Sequence, residues 1–217
     1  MKSQVRGGTR WKRFAVVMVP SVAATAAIGV GLAQGALAAS FSISGQEFKV
    51  KADSLVGKDF VQYGNVVSGK DLEGKPFAKP VGVSGFSEAW ITDMCQSVVT
   101  PNVPFLGNVS LELRAGTEKN KPVYAKDIYL DVSSLEADAE FGNIDIGVAA
   151  GALPKKDGKP GIQPGTTANP YGFSQRAENA TLTDVEQKAW ATTAATFKLP
   201  DLKLKLHTGA PKECFTE

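Results

Sequence analysis

"FSISGQEFKVKA", Phe41 to Ala52, places apolar side chains at Phe41 and Ile43, then at Phe48, Val50 and Ala52, with mostly polar residues between them. A period of two puts successive side chains on opposite faces of a strand, so the stretch reads as β structure with one buried face. "NVSLELRA" repeats the pattern at Val109, Leu111 and Leu113. "KDIYLDVSSL", "EFGNIDIGVA", "ATFKL" and "DLKLKL" continue it, separated by Gly, Asn, Asp or Pro. "ENATLTDVEQKAWATTAA" has acids early and Ala late, but its threonines and weak 3.6-residue period favour a strand. The expectation is an all-β domain of about ten or more strands. Its arrangement is antiparallel or solenoid-like.

Towards the N-terminus the pattern changes. "MKSQVRGGTRWKR" carries five positive charges and no acid, and the apolar run after it ends at Ala36-Leu37-Ala38. Those are the parts of an export signal with its cleavage site. "TRWKRF" lacks the paired arginines of a twin-arginine signal, which leaves general secretion. The apolar run is nearly long enough to span a bilayer, so residues 1–38 read as a signal peptide or as an uncleaved anchor helix. Residues 39–217 then form a single β-rich domain, secreted or held on the outer face of the membrane. Any membrane contact would run through the N-terminal segment.

Of 217 residues, 43% are hydrophobic, enough to supply a core. The 24 basic and 22 acidic residues become 19 and 22 once the leader's five cations are removed, a net of about −3. Nucleic-acid binding thereby loses its electrostatic driving force. Two cysteines in an exported chain imply one disulfide, Cys95 to Cys214. It closes a loop of more than a hundred residues, for which chain entropy gives about 4–5 kcal/mol. Two cysteines and one histidine without local clustering make no metal site, and no motif implies a cofactor.

"PKKDGKPGIQPGTTANPYG", Pro154 to Gly172, holds four prolines and four glycines and reads as a long exposed loop. "AWITDMCQ" (Ala89 to Gln96) and "ATLTDVEQ" (Ala180 to Gln187) share Ala, Thr, Asp and Gln at matching positions, and "LVGKDFVQ" (Leu55 to Gln62) repeats the Asp-x-x-Gln spacing. The echo is either coincidence or a repeated β architecture with Asp and Gln at its turns.

"FSISGQEFKVKADSLVGKDFVQYGNV", "ITDMCQSVV", "AEFGNIDIG", "AWATTAATFKLPDLKLKLH" and "ECF" together resemble an actinobacterial family of exported proteins of unknown function, some of whose members are named cholesterol esterase. "FKVKADSLVGKDFVQYGNV" also resembles the open β-taco strands of envelope lipid-transport proteins, an analogy of fold alone. The esterase name implies a nucleophile, a base and an oxyanion hole. The nucleophile elbow G-x-S-x-G is missing. "GVSGFSEA" comes nearest, with Phe86 where the second glycine belongs. Ser84, Ser87 and His207, the sole histidine, are the candidate catalytic residues. In "DLKLKLH" the apolar positions are Leu202, Leu204 and Leu206, which puts His207 with Lys203 and Lys205 on the opposite, solvated face. No carboxylate evidently orients it, although Asp201 shares its side and Glu213 is near in sequence. The acids Asp127, Asp131, Glu136, Asp138, Glu140 and Asp145 alternate with apolar residues and read as a solvated strand face rather than a calcium site or a carboxylate pair.

Three functions follow. The preferred one is an exported β-rich protein that binds a lipid or sterol-like ligand or an envelope partner. Sterol-ester hydrolysis, which the resemblance implies, is the alternative. A structural envelope role, through sheet edges or the long loop, is the third.

Overall fold

The computed structural model describes residues 43–154, 158–166 and 168–216, so the segment read as signal or anchor lies outside the described residues. Ten strands follow one another: β1 (Ile43–Ser44), β2 (Phe48–Lys70), β3 (Pro76–Thr92), β4 (Met94–Val103), β5 (Gly107–Ala115), β6 (Val123–Gly142), β7 (Asp145–Ala149), β8 (Phe173–Thr193), β9 (Thr196–Lys198) and β10 (Lys203–Thr208). They form one sheet in the order β10-β5-β4-β2-β3-β6-β8-β7, with β1 on β2 and β9 on β6. Every pairing is antiparallel except β1 with β2. Among the described residues no helix is long and apolar enough to cross a membrane.

A second pairing closes the sheet. β2 lies along β3 on one edge and along β8 on the other, while β6 pairs with both β3 and β8. β2, β3, β6 and β8 therefore make a closed four-strand circuit. Their lengths of 23, 17, 20 and 21 residues far exceed the usual five or six. Strands this long must bend sharply to close so small a ring, and the bends fall at aspartates. Asp59, Asp127 and Asp184 within β2, β6 and β8, and Asp93 between β3 and β4, all have φ near +50°, the left-handed region that Asp and Asn enter more readily than other L-residues.

Each bend resets which side chains face inward. Ile91 and Met94 flank Asp93, Ala125 and Ile128 flank Asp127, and Leu182 and Val185 flank Asp184, two residues before and one after in each case. All six belong to the same buried core. Three residues apart would mean opposite faces in an uninterrupted strand.

Small residues let the ring close. Ala180, Gly57, Ala89 and Ala125 are direct partners across β8, β2, β3 and β6. A Cβ on Gly57 would stand 2.2 Å from Cδ1 of Phe86, so only glycine fits there. Phe60 stacks obliquely on Phe86 and on Phe141, with ring centres 5.3 and 5.1 Å apart.

Beyond the ring, β4, β5 and β10 extend the sheet as an open flap. One face of the flap is covered by the C-terminal tail. The disulfide joins Cys95 to Cys214 across 119 residues. The backbone N–H of Cys214 donates to Ser97 Oγ, that of Lys212 donates to Ser110 Oγ, and Lys49 pairs with Glu213 at 3.1 Å. Among the described residues, both buried cores lie between Val50 and Val185.

The proline- and glycine-rich stretch 154–172 was expected to be exposed; among its described residues Gly158, Lys159, Gly165, Asn169, Pro170 and Tyr171 are exposed, while others are laid against the sheet. Pro160, Gly161 and Gln163 are buried. Ala150, Leu153 and Ile162 cover Val61, Tyr63, Val81 and Val83 on the outer face of β2 and β3. The N–H of Gln163 donates to the Tyr63 hydroxyl at 2.8 Å. Its composition excludes sheet pairing, but its apolar members still cover an apolar face of the sheet.

Candidate functional site

Inside the ring, the reset alternation directs a few polar side chains into an otherwise apolar space. A cavity of about 160 Å³ is lined by Leu55, Phe60, Phe86, Leu130, Phe141, Leu182 and Val185, with Gln62, Ser84 and Gln187 among them. A smaller chamber of about 30 Å³ shares Leu55, Leu130, Val185 and Gln187 and adds Val50, Gln96 and Phe197. No charged side chain lines either one. β3 follows β6 only as far as the pair Gly82 and Val132. Past that point β6 continues along β8 alone, and Leu135, which lines the cavity, is 38% exposed at the resulting seam.

The three glutamines are the ends of the Asp-x-x-Gln echo. Asp59, Asp93 and Asp184 bend the chain, and Gln62, Gln96 and Gln187, three residues later, line the interior. Asp and Gln were expected at turns between strands. Asp93 does stand between β3 and β4, whereas Asp59 and Asp184 occur within β2 and β8, where the left-handed residue bends the strand without ending it. Gln62 Nε2 donates to Ser84 Oγ at 3.1 Å, and Gln175 Nε2 donates to Gln62 Oε1 at 2.6 Å. Gln187 is only 5% exposed.

The residues proposed for catalysis are dispersed. Ser84 faces the cavity and is held by Gln62. Ser87 donates to Asp59 Oδ2 at 2.7 Å. His207 lies on β10 at the far end of the strand order, with Nε2 3.0 Å from Glu112 Oε2. Its carboxylate partner is Glu112, rather than Asp201 or Glu213, because β10 pairs with β5 and sets the two side chains on one face. Arg114 first, then His207, hold the Glu112 carboxyl below the usual carboxylate range. No hydrogen bond among the described residues links His207 to Ser84 or Ser87.

One acid departs from the solvated face assigned to it. Asp131 is buried on the outer side of β6, where desolvation pushes its carboxyl up to about 6. Its Oδ1 and Trp190 Nε1 have no partner among the described residues. A larger groove of about 580 Å³ lies between the Asp59 bend and the loop. Its charges satisfy one another, Lys159 with Asp59 at 3.3 Å and Arg176 with Asp145 at 2.9 Å.

The fold and cavity define a class: a small closed antiparallel β barrel with an uncharged, mainly apolar interior. A family model matches residues 44–215, and the chain belongs to that family, a family of unknown function (DUF6230). No curated protein and no solved structure matches the chain.

Proposed function

We propose that the protein is exported and that its barrel binds the acyl chain of a neutral lipid. The observation that carries the reading is the uncharged, mainly apolar cavity itself, which Gln187, 5% exposed, lines together with Gln62 and Ser84. A ligand oxygen that accepts from the Gln187 amide gains about 0.5–1.5 kcal/mol. The walls are uncharged, which favours an ester or hydroxyl over a carboxylate. Size narrows the ligand further. A cavity of about 150 Å³ accepts benzene, so about 160 Å³ takes the end of an acyl chain and not a sterol ring system. The disulfide is consistent with an oxidising compartment outside the cytoplasm.

Hydrolysis of a sterol ester is the alternative that the resemblance to exported actinobacterial proteins, some named cholesterol esterase, brings with it. It needs Ser84 or Ser87 activated by His207, and their separate hydrogen bonds favour binding without chemistry. A purely structural envelope role leaves the uncharged cavity without a purpose.

The test is calorimetric titration with methyl octanoate. Gln187→Leu should weaken binding about tenfold, about 1.4 kcal/mol, and Ala137→Trp, which fills the cavity from its rim, should abolish it. Unchanged affinity in both variants would refute the cavity as the site. Release of octanoate by wild type that collapses in His207→Ala and in one serine variant, with folding intact, would establish the esterase instead.

A further inference from the structure

One face of the flap is an open apolar ledge. Register aligns Val50, Gln96, Leu113 and Leu204 in a row across β2, β4, β5 and β10, with Val98, Leu111 and Leu206 in the next row. Directly paired residues project to one face, and the first row begins at Val50 and Gln96 on the wall of the small chamber. The ledge is thus the cavity wall continued past the point where the sheet closes. It ends in open solvent. Leu204 and Leu206 are 56% and 67% exposed. The β4–β5 hairpin tip reads "VPFLG", Val103 to Gly107, and there Phe105 stands fully exposed with φ of +67°. Hairpin tips ordinarily carry Gly, Asn or Asp, and a bulky residue in the left-handed region is an outlier.

We propose that this tip and the β10 leucines dock on an anionic lipid bilayer, from which an acyl chain passes along the ledge into the cavity. The proposal rests on the acyl-binding reading above. Continuity with the cavity favours a bilayer over a second copy of the chain. A chain sliding along the ledge stays out of water, whereas a protein partner seated there would block the route. Extent favours it too. Phe105, Leu106, Leu202, Leu204 and Leu206 are the exposed large apolar residues here, against roughly 20–30 residues on each side of a stable protein interface. Exposed Lys203 and Lys205 alternate with the leucines along the edge strand, so cations meet the phosphate layer while the leucines enter the acyl region.

The experiment is vesicle flotation of the chain from residue 39 onward, with phosphatidylcholine vesicles that contain or lack phosphatidylglycerol. Calorimetry with soluble methyl octanoate runs beside it. Wild type should float with the anionic vesicles. Phe105→Ser with Leu106→Ser should weaken flotation at least tenfold, leaving methyl octanoate affinity and melting temperature unchanged. Lys203→Glu with Lys205→Glu should weaken it on anionic vesicles alone. Wild type that binds methyl octanoate but floats with neither vesicle overturns the docking while the cavity reading stands. Flotation without methyl octanoate binding overturns the route into the cavity. A concentration-dependent dimer that the tip variant dissociates would assign the face to a second copy and overturn the proposal.

Discussion

Val83 on β3 and Leu206 on β10 are both apolar residues of alternating strands, yet Val83 is 0% exposed and Leu206 is 67% exposed. The difference is closure. β3 has a strand on each edge, a core on one face and the docked loop on the other, so each of its side chains has somewhere to go. β10 borders β5 alone, at the edge of the sheet. On its polar side only His207 is half-buried, against Glu112, while Lys203 and Lys205 stay exposed. Alternation thus decides that a segment is a strand, and pairing decides whether its apolar side is core or surface.

The widest gap should come from truncations in the two regions. Phe86→Ala in the ring removes the ring that fills the space over Gly57 and should cost about 3–5 kcal/mol. Leu206→Ala on the flap should stay within about 0.5 kcal/mol. Urea denaturation of both variants checks this, and equal costs would break the comparison. Next comes the link that ties the C-terminal tail to the flap. Cys95→Ser should cost about 2–5 kcal/mol, read by the same denaturation. Intact mass with and without reductant should first show a difference of two hydrogens.

Smaller effects sharpen the account of how the ring bends. Asp184→Val forces a β-branched residue into a left-handed conformation and should cost about 1–2 kcal/mol, whereas Asp184→Gly should be near neutral. Thermal melts of the two variants separate a backbone requirement from a lost side-chain contact. The last effect concerns pH. Burial raises the folded Asp131 carboxyl to about 6, above its unfolded value of about 3.9. The folded state therefore binds the proton more tightly, and this group's contribution to stability is fully present below about pH 4 and is lost as pH rises to about 6. Asp131→Asn should flatten that part of the stability profile, and a decline that persists unchanged would mean that another group is responsible.

Much of this was legible in the residues. Strands β5, β6, β7, β9 and β10 follow the alternating stretches, β8 takes the strand reading over the helical one, and the cysteines pair as expected. What stayed hidden depended on contacts between distant segments. Closure of β2 on β8 joins residues such as Phe48 and Ala189, which no local pattern connects. The Asp-x-x-Gln echo was visible, but its meaning was not. An aspartate within an apolar run looks like a turn until its strand is seen to continue through a left-handed bend. Glu112 was missed because its partner His207 lies 95 residues away and only register joins them. The loop's proline and glycine content said what it could not pair with, and nothing about what it would cover.

The central claim is that the closed ring, and not the open flap, holds an apolar chain of limited length. A series of methyl esters from about four to about fourteen carbons, titrated by calorimetry, tests it most directly. Each methylene buried in the cavity contributes about 0.8 kcal/mol, close to fourfold in affinity. Affinity should therefore climb about fourfold per carbon up to roughly six to eight carbons, where about 160 Å³ is filled, and then flatten. An affinity that rises evenly to the longest ester would place the chain on the outer surface, and no binding at any length would contradict the account outright.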